Sequence, residues 1–122
     1  MKKKLFIIVN LDCFFLSHRK EIANAAQKNG FEVTIVTHDN GKRNEIETLG
    51  FHFIELSNVK SIKNIYKEFQ ILMFLFYIYK KYKPDIVHHV GLKLIIYGTI
   101  AATFTRIKNI VNAVSGLGIL FS

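Results

Sequence analysis

KLFIIVNLDCFFLSHRKEIANAAQKNG, residues 4–30, decides the fold. Leu5 to Val9 is a short unbroken apolar run, the pattern of a strand buried on both faces of a parallel sheet. Asn10 to Leu16 breaks that pattern and reads as a loop. Ser17 has the hydroxyl to cap a following helix by accepting a bond from a free backbone N–H. Ile22, Ala23, Ala25 and Ala26 give that helix an apolar stripe, and Lys28-Asn29-Gly30 supplies a closing cation and a turn-tolerant glycine. A strand, a loop and a helix in this order open a parallel α/β sheet, and such sheets bind ligands at the carboxyl ends of their strands.

Working outward, the pattern recurs. Phe31–Thr37 reads as a second strand and His38 to Gly41 as a turn. Lys42–Leu49 is a short polar helix ending at Gly50. Phe51–Leu56 alternates, as a third strand near a sheet edge would. A long helix is expected from Ser61 to Lys83, where Pro84 stops it. Asp85–Val90 is a fourth strand, Leu92–Thr105 a helix and Lys108–Val114 a fifth strand before the loop Ser115-Gly116-Leu117-Gly118. Strands alternating with helices predict a Rossmann-like, doubly wound parallel sheet with helices on both faces. After the fifth strand, Ile119 to Phe121 is an apolar tail with no further helix to cover it, so the chain reads as half of a larger arrangement.

The first helix carries an oddity. His18, Arg19 and Lys20 sit in its expected first turn, where cations oppose the helix dipole at a cost of about 0.3–1 kcal/mol each. One use for them is an anion held by free N–H groups and basic side chains; the other is simple solvation.

Other motifs fall away. The dinucleotide fingerprint needs glycines directly after the first strand, and this loop has none. Gly116 and Gly118 form a lone G-x-G after the fifth strand, as easily a tight turn. Asp12, Glu55 and Lys108 do not meet the spacing of a phosphoacceptor domain. His88 and His89 are adjacent on a strand and must face opposite ways, so they cannot share a metal ion; one of them points into the crevice.

Composition narrows the class. The chain has 122 residues, half of them hydrophobic, which is enough for one packed domain and excludes disorder. Its net charge is +8, which suits an anionic partner: nucleic acid, an acidic membrane or a phosphorylated ligand. Nucleic acid is the weakest of these, because the lysines are scattered and the aromatics lie in apolar runs. A single cysteine, Cys13, excludes an internal disulfide and suits a cytoplasmic setting. The run Ile71–Tyr79 is apolar all round but short of the ~20 residues of a membrane span. Flanked by lysines and tyrosines, it predicts core packing on one side and a bilayer-facing or partner-facing patch on the other.

Four stretches carry a family resemblance. They are Phe14-Phe15-Leu16-Ser17-His18-Arg19, Gly41-Lys42-Arg43 with Leu49-Gly50-Phe51, Lys83-Pro84-Asp85-Ile86-Val87-His88-His89, and Asn112-Ala113-Val114-Ser115-Gly116-Leu117-Gly118. In this order they resemble the N-terminal, acceptor-side domain of GT-B-fold, family-4-type glycosyltransferases of bacterial surface polysaccharide or lipid-linked oligosaccharide synthesis. The resemblance implies a hexosyl-type transferase (EC 2.4) when whole. It implies a single Rossmann-like domain over residues 1–122, one half of a GT-B architecture, with the donor-binding C-terminal domain absent.

The resemblance further implies that this half binds the acceptor, saccharide or lipid-linked, while a nucleotide-sugar serves as co-substrate in the other half. That other half would be a C-terminal domain or a separate chain. No metal is expected, nor any other cofactor. Ser17, His18, Arg19, His88, Lys93, Ser115, Gly116 and Gly118 are the cleft-facing candidates for acceptor or phosphate contact, with no catalytic residue assigned. The sequence departs from the pattern in its first loop, which lacks glycine, and at Ser115, where many relatives have histidine. The expected setting is cytoplasmic, with peripheral contact on the inner face of the plasma membrane and no nucleic acid. Two other roles fit the same residues: a non-catalytic membrane-docking subunit of a split glycosyltransferase, or an inactive truncated product.

Overall fold

The structure is a computed structural model, which describes residues 3–56 and 64–113. Five strands form one parallel sheet: β1 (Lys4–Leu11), β2 (Glu32–His38), β3 (His52–Glu55), β4 (Ile86–Val90) and β5 (Asn109–Ala113). Their order across the sheet is β3-β2-β1-β4-β5. The chain winds outward from β1 to β3, returns to the other side of β1, and winds outward again to β5. β1 and β4 are therefore neighbours at the point where the winding reverses, with Ile7 beside His88 and Ile8 beside His89. Adjacent strands that lead their connections in opposite directions leave a crevice at their carboxyl ends.

The core splits by strand alternation. Leu5, Ile7, Val9, Val33, Ile35 and Val90 face one side, where Phe15, Ala23 and Ile46 of the early helices cover them. Phe6, Ile8, Val36 and Val87 face the other side, under Ile71, Leu75, Ile78 and Tyr79 of helix α4 (Asn64–Tyr82) and Leu94, Ala101 and Ala102 of helix α5 (Leu92–Phe104). Each fully buried Leu, Ile or Phe side chain contributes about 1.5–3 kcal/mol to such a core.

The strands and their order bear out the doubly wound parallel sheet, and β3 lies at an edge as its alternation implies. The first helix does not begin where expected. The chain turns helical at once after β1: one α turn, α1 (Asp12–Phe14), leads into a π-helical turn (Phe15–Arg19) and then α2 (Lys20–Lys28). Ser17 therefore caps nothing. Its hydroxyl donates to the Cys13 carbonyl at 3.0 Å, back along the helix. His18, Arg19 and Lys20 are consequently not in the first helical turn, so the dipole conflict expected of them does not arise at that end. A sixth helical element, α3 (Arg43–Thr48), joins β2 to β3. The expected cap at Ser61 lies outside the described residues.

Candidate functional site

The site is built from the carboxyl end of β1 outward. Asp12 is fully buried there. One carboxylate oxygen accepts from the Cys13 N–H at 2.7 Å; the other accepts from the N–H groups of Asn40 at 2.7 Å and Lys42 at 3.0 Å. Charge-assisted bonds of this kind are the strong ones. They fasten the start of α1 to the loop after β2, which fixes where the next two turns project. The π turn that follows has one extra residue per repeat relative to an α-helix, and such turns concentrate at functional sites. It buries Phe15 against Phe51, edge to face at 5.7 Å, and leaves Ser17 and His18 exposed. Ser17 Oγ lies 2.7 Å from His18 Nδ1, and the His18 ring stacks on Phe14 at 5.0 Å.

Arg19 ends the π turn and meets β4. Its guanidinium is close enough to His88 to disfavour the imidazolium, although burial is the larger cause. The His88 pKa therefore lies below the ordinary histidine value, so the ring is neutral at pH 7. Its Nδ1 pairs with the Val111 carbonyl at 3.2 Å, which makes Nδ1 the protonated nitrogen and leaves Nε2 with a lone pair. That Nε2 is buried and has no hydrogen-bond partner, and the same holds of Arg19 Nε and of Thr37 Oγ1 at the end of β2. Among the described residues these are the buried side-chain polar atoms left unsatisfied. By strand alternation Thr37 and His88 lie on the same face, the one that carries the π turn. Each such atom costs about 1–3 kcal/mol when nothing pairs with it.

His89 faces the other way and is fully satisfied. Its Nδ1–H donates to Asn112 Oδ1 at 2.9 Å, and its Nε2 accepts from the Tyr79 hydroxyl at 2.7 Å. Asn112 in turn donates to Thr99 Oγ1 at 3.3 Å. Burial drives the His89 pKa down to about 4 and the Tyr79 pKa well above its ordinary value. Gly98 of α5 abuts the imidazole so closely that a Cβ there would overlap it. The pair of histidines thus separates as strand geometry demands: His88 belongs to the unsatisfied face, His89 to a closed network between sheet and helices.

On the α4/α5 side of the same sheet end lies a cavity of about 270 Å³ lined by Asn10, His38, Val90, Gly91 and Lys93 among others. Gly91 takes φ 98°, which a side chain would resist, and hands the chain directly into α5. The structure therefore places Ser17 with His18, Arg19 with His88, and Lys93 on the lining of the cavity at the start of α5. Ser115, Gly116 and Gly118 lie outside the described residues. Among the described residues, no three His, Cys, Asp or Glu side chains come together in a metal-binding group. Asp12 and Thr37 are the residues that the reading of the sequence missed. Asp12 had a signal: an acid directly after an apolar strand and before the first helical residues.

Comparisons with known proteins agree on the fold. MurG of Acinetobacter baumannii superposes with a TM-score of 0.72 at 16% identity, over 90% of this chain and 34% of its own. A glycosyltransferase of Rickettsia africae gives 0.69 at 18% identity, over 91% and 29%. A UDP-GlcNAc 2-epimerase of Methanocaldococcus jannaschii gives 0.62 at 18%, over 92% and 31%. The chain thus spans about a third of the length of each of these proteins. No curated protein matches it by sequence at a significant level. The sequence profile described as "Glycosyl transferase 4-like" matches residues 4–122. With that match over nearly its whole length, and with a parallel sheet shared with GT-B glycosyltransferases, the chain belongs to the glycosyl transferase 4-like family and has the Rossmann-like fold of its N-terminal domain.

Proposed function

We propose that this domain holds the acceptor in a glycosyl transfer whose nucleotide-sugar donor is bound by a second domain or chain. The observation that carries this reading is the unsatisfied face: Arg19 Nε, His88 Nε2 and Thr37 Oγ1, buried without partners at the carboxyl end of the sheet. A ligand that offered an anionic group to Arg19 and a hydroxyl to the His88 lone pair would repay both deficits. A saccharide or lipid carrier bearing a diphosphate has that chemistry. His88 is neutral and presents an acceptor nitrogen, as a group receiving an acceptor hydroxyl must. The domain's share of catalysis is then positioning, with Arg19 stabilising phosphate charge.

Calorimetry of the 122-residue chain tests this, with farnesyl diphosphate as the acceptor-like probe and UDP- and GDP-sugars as donors. The expected result is heat with farnesyl diphosphate and none with the sugars. Arg19→Gln should weaken the probe by about tenfold to a hundredfold, the worth of one hydrogen bond to a charged group. Saturable binding of a nucleotide-sugar, or probe affinity unmoved by both Arg19→Gln and His88→Gln, would overturn it.

A second observation gives the domain a place to work. The outer faces of α4 and α5 expose two apolar stripes, Phe69-Met73-Tyr77 and Leu92-Ile96-Ile100-Phe104, each at four-residue spacing. Lysines and an arginine bound the patch at the helix ends: Lys80, Lys81 and Arg106. No described helix is long and apolar enough to cross a membrane. An apolar face edged with cations, on a chain of charge +8, fits the surface of an anionic bilayer. Lying on that face, the domain would sit at the surface in which a lipid-linked acceptor is anchored, with the Arg19–His88 site on the side of the sheet away from the bilayer.

A further inference from the structure

A second cavity, of about 530 Å³, opens at the opposite end of the sheet, between the carboxyl ends of α4 and α5. Its cations are Lys80, Lys83, Arg106 and Lys108, and its apolar walls include Phe76 and Phe104. None of the four cations has a hydrogen-bond or ion-pair partner among the described residues. The carboxylate on the lining belongs to Asp85, and one of its oxygens already accepts from the Lys4 N–H at 2.7 Å. The cavity is continuous with the apolar face, since Phe104, 73% exposed, belongs to both.

Backbone strain marks the same place. Lys83 (φ 51°) and Arg106 (φ 63°) are the residues other than glycine with positive φ among those described, and each follows the end of one of these helices. The chain ends α2 and α3 in the cheap way, with Gly30 and Gly50 in that region. At α4 the helix dipole does not require Lys83, because Lys80 and Lys81 already stand in the last turn, whereas at α5, whose last turn has no basic residue, Arg106 also complements the dipole. Both are helix-stop positions, closed at α5 by the Arg106 N–H to the Thr103 carbonyl at 3.2 Å and the Ile107 N–H to the Ala102 carbonyl at 2.9 Å, and at both the chain carries a cation where glycine would cost less.

We propose that this cavity receives the phosphate headgroup of an anionic phospholipid, whose chains lie along the α5 stripe. The inference rests on the bilayer reading of the α4/α5 face and adds a defined anion site to it. The discriminating variant is Lys83→Gly/Arg106→Gly, because glycine removes the charges and relieves the strain together. Flotation with vesicles of phosphatidylcholine alone, or with phosphatidylglycerol added, gives the affinity. The expected result is a higher melting temperature together with about thirtyfold weaker binding to phosphatidylglycerol vesicles, roughly fivefold per cation near a charged surface. Lys28→Gln/Lys42→Gln, an equal loss of charge remote from the cavity, should change binding less than threefold.

Equal losses from the two pairs would overturn the headgroup site while leaving the bilayer reading intact. Absence of binding to either vesicle by the unaltered chain would overturn both. Saturation of the Lys83 and Arg106 amide shifts by millimolar inorganic phosphate, with no discrimination between the vesicles, would assign the cavity to a soluble anion and overturn the lipid.

Discussion

His88 and His89 differ by one position and by a whole face of the sheet, and their protons behave accordingly. His89 is buried and hydrogen-bonded as a neutral ring, with its pKa lowered to about 4, whereas an unfolded chain would titrate it near 6.5. Between those values the unfolded state binds a proton that the native state refuses. The stability His89 confers is therefore complete above about pH 6.5, and roughly 3 kcal/mol of it is lost as the pH falls to 4. His88, shifted in the same direction, adds to the loss. Urea midpoints taken at pH 7 and pH 4.5 should show this slope, and His89→Asn should flatten it; an unchanged slope would mean that the ring is not held neutral. Gly98 makes a companion case. Alanine is the better helix former by about 1 kcal/mol, yet here its Cβ would enter an imidazole held at both nitrogens. Gly98→Ala should cost a net ~2 kcal/mol in urea denaturation through overpacking; a stabilised variant would show that α5 can move away from the sheet.

At the scale of elements, the first strand was legible because a parallel strand buried on both faces leaves a continuous apolar run, and Leu5–Val9 carries that signature in a few residues. The start of the first helix was not. Asp12-Cys13-Phe14 has no stripe of its own, and Asp12 reads as a loop residue until its three backbone partners are known. The π turn hides from periodicity for a physical reason: one additional residue shifts the phase of every side chain after it, so a 3.6-residue template misplaces Phe15 through Arg19. The candidate site was legible in part. Arg19 and His88 meet as two basic residues near adjacent strand ends, whereas Thr37 looked like any strand threonine. α4 and α5 carry the prediction for this scale. Ile96→Ser/Ile100→Ser removes apolar area that is exposed in the free domain, so thermal stability should change by less than about 1 kcal/mol. Binding to phosphatidylglycerol vesicles should fall by tenfold or more. Undiminished binding would leave the bilayer to some other face.

For the molecule as a whole, charge and shape divide the work. The unsatisfied polar face and the cavity at Lys93 occupy the carboxyl end of the sheet, while the cavity at Lys83 and Arg106 occupies its amino end. The apolar stripes of α4 and α5 run between the two ends. A domain resting on those stripes would anchor at one end and present its ligand site at the other. The chain covers about a third of the length of MurG and of the Rickettsia africae glycosyltransferase.

The order β3-β2-β1-β4-β5 has a consequence for how the protein is made. β1 is the middle strand and leaves the ribosome before the other four described strands. Its partner on one side, β2, follows within about thirty residues, but its partner on the other side is β4, which begins at Ile86. At about 5–20 residues per second, the interval before β4 emerges lasts several seconds. Pairing of β1, β2 and β3 within that time would leave the most apolar strand with one raw edge and one bare face. Such an edge invites pairing with any extended chain nearby. The long apolar α4 emerges in the same interval, which shields the bare face but also adds greasy surface. Yield during synthesis, rather than the stability of the finished domain, is thus where this topology is most exposed to failure.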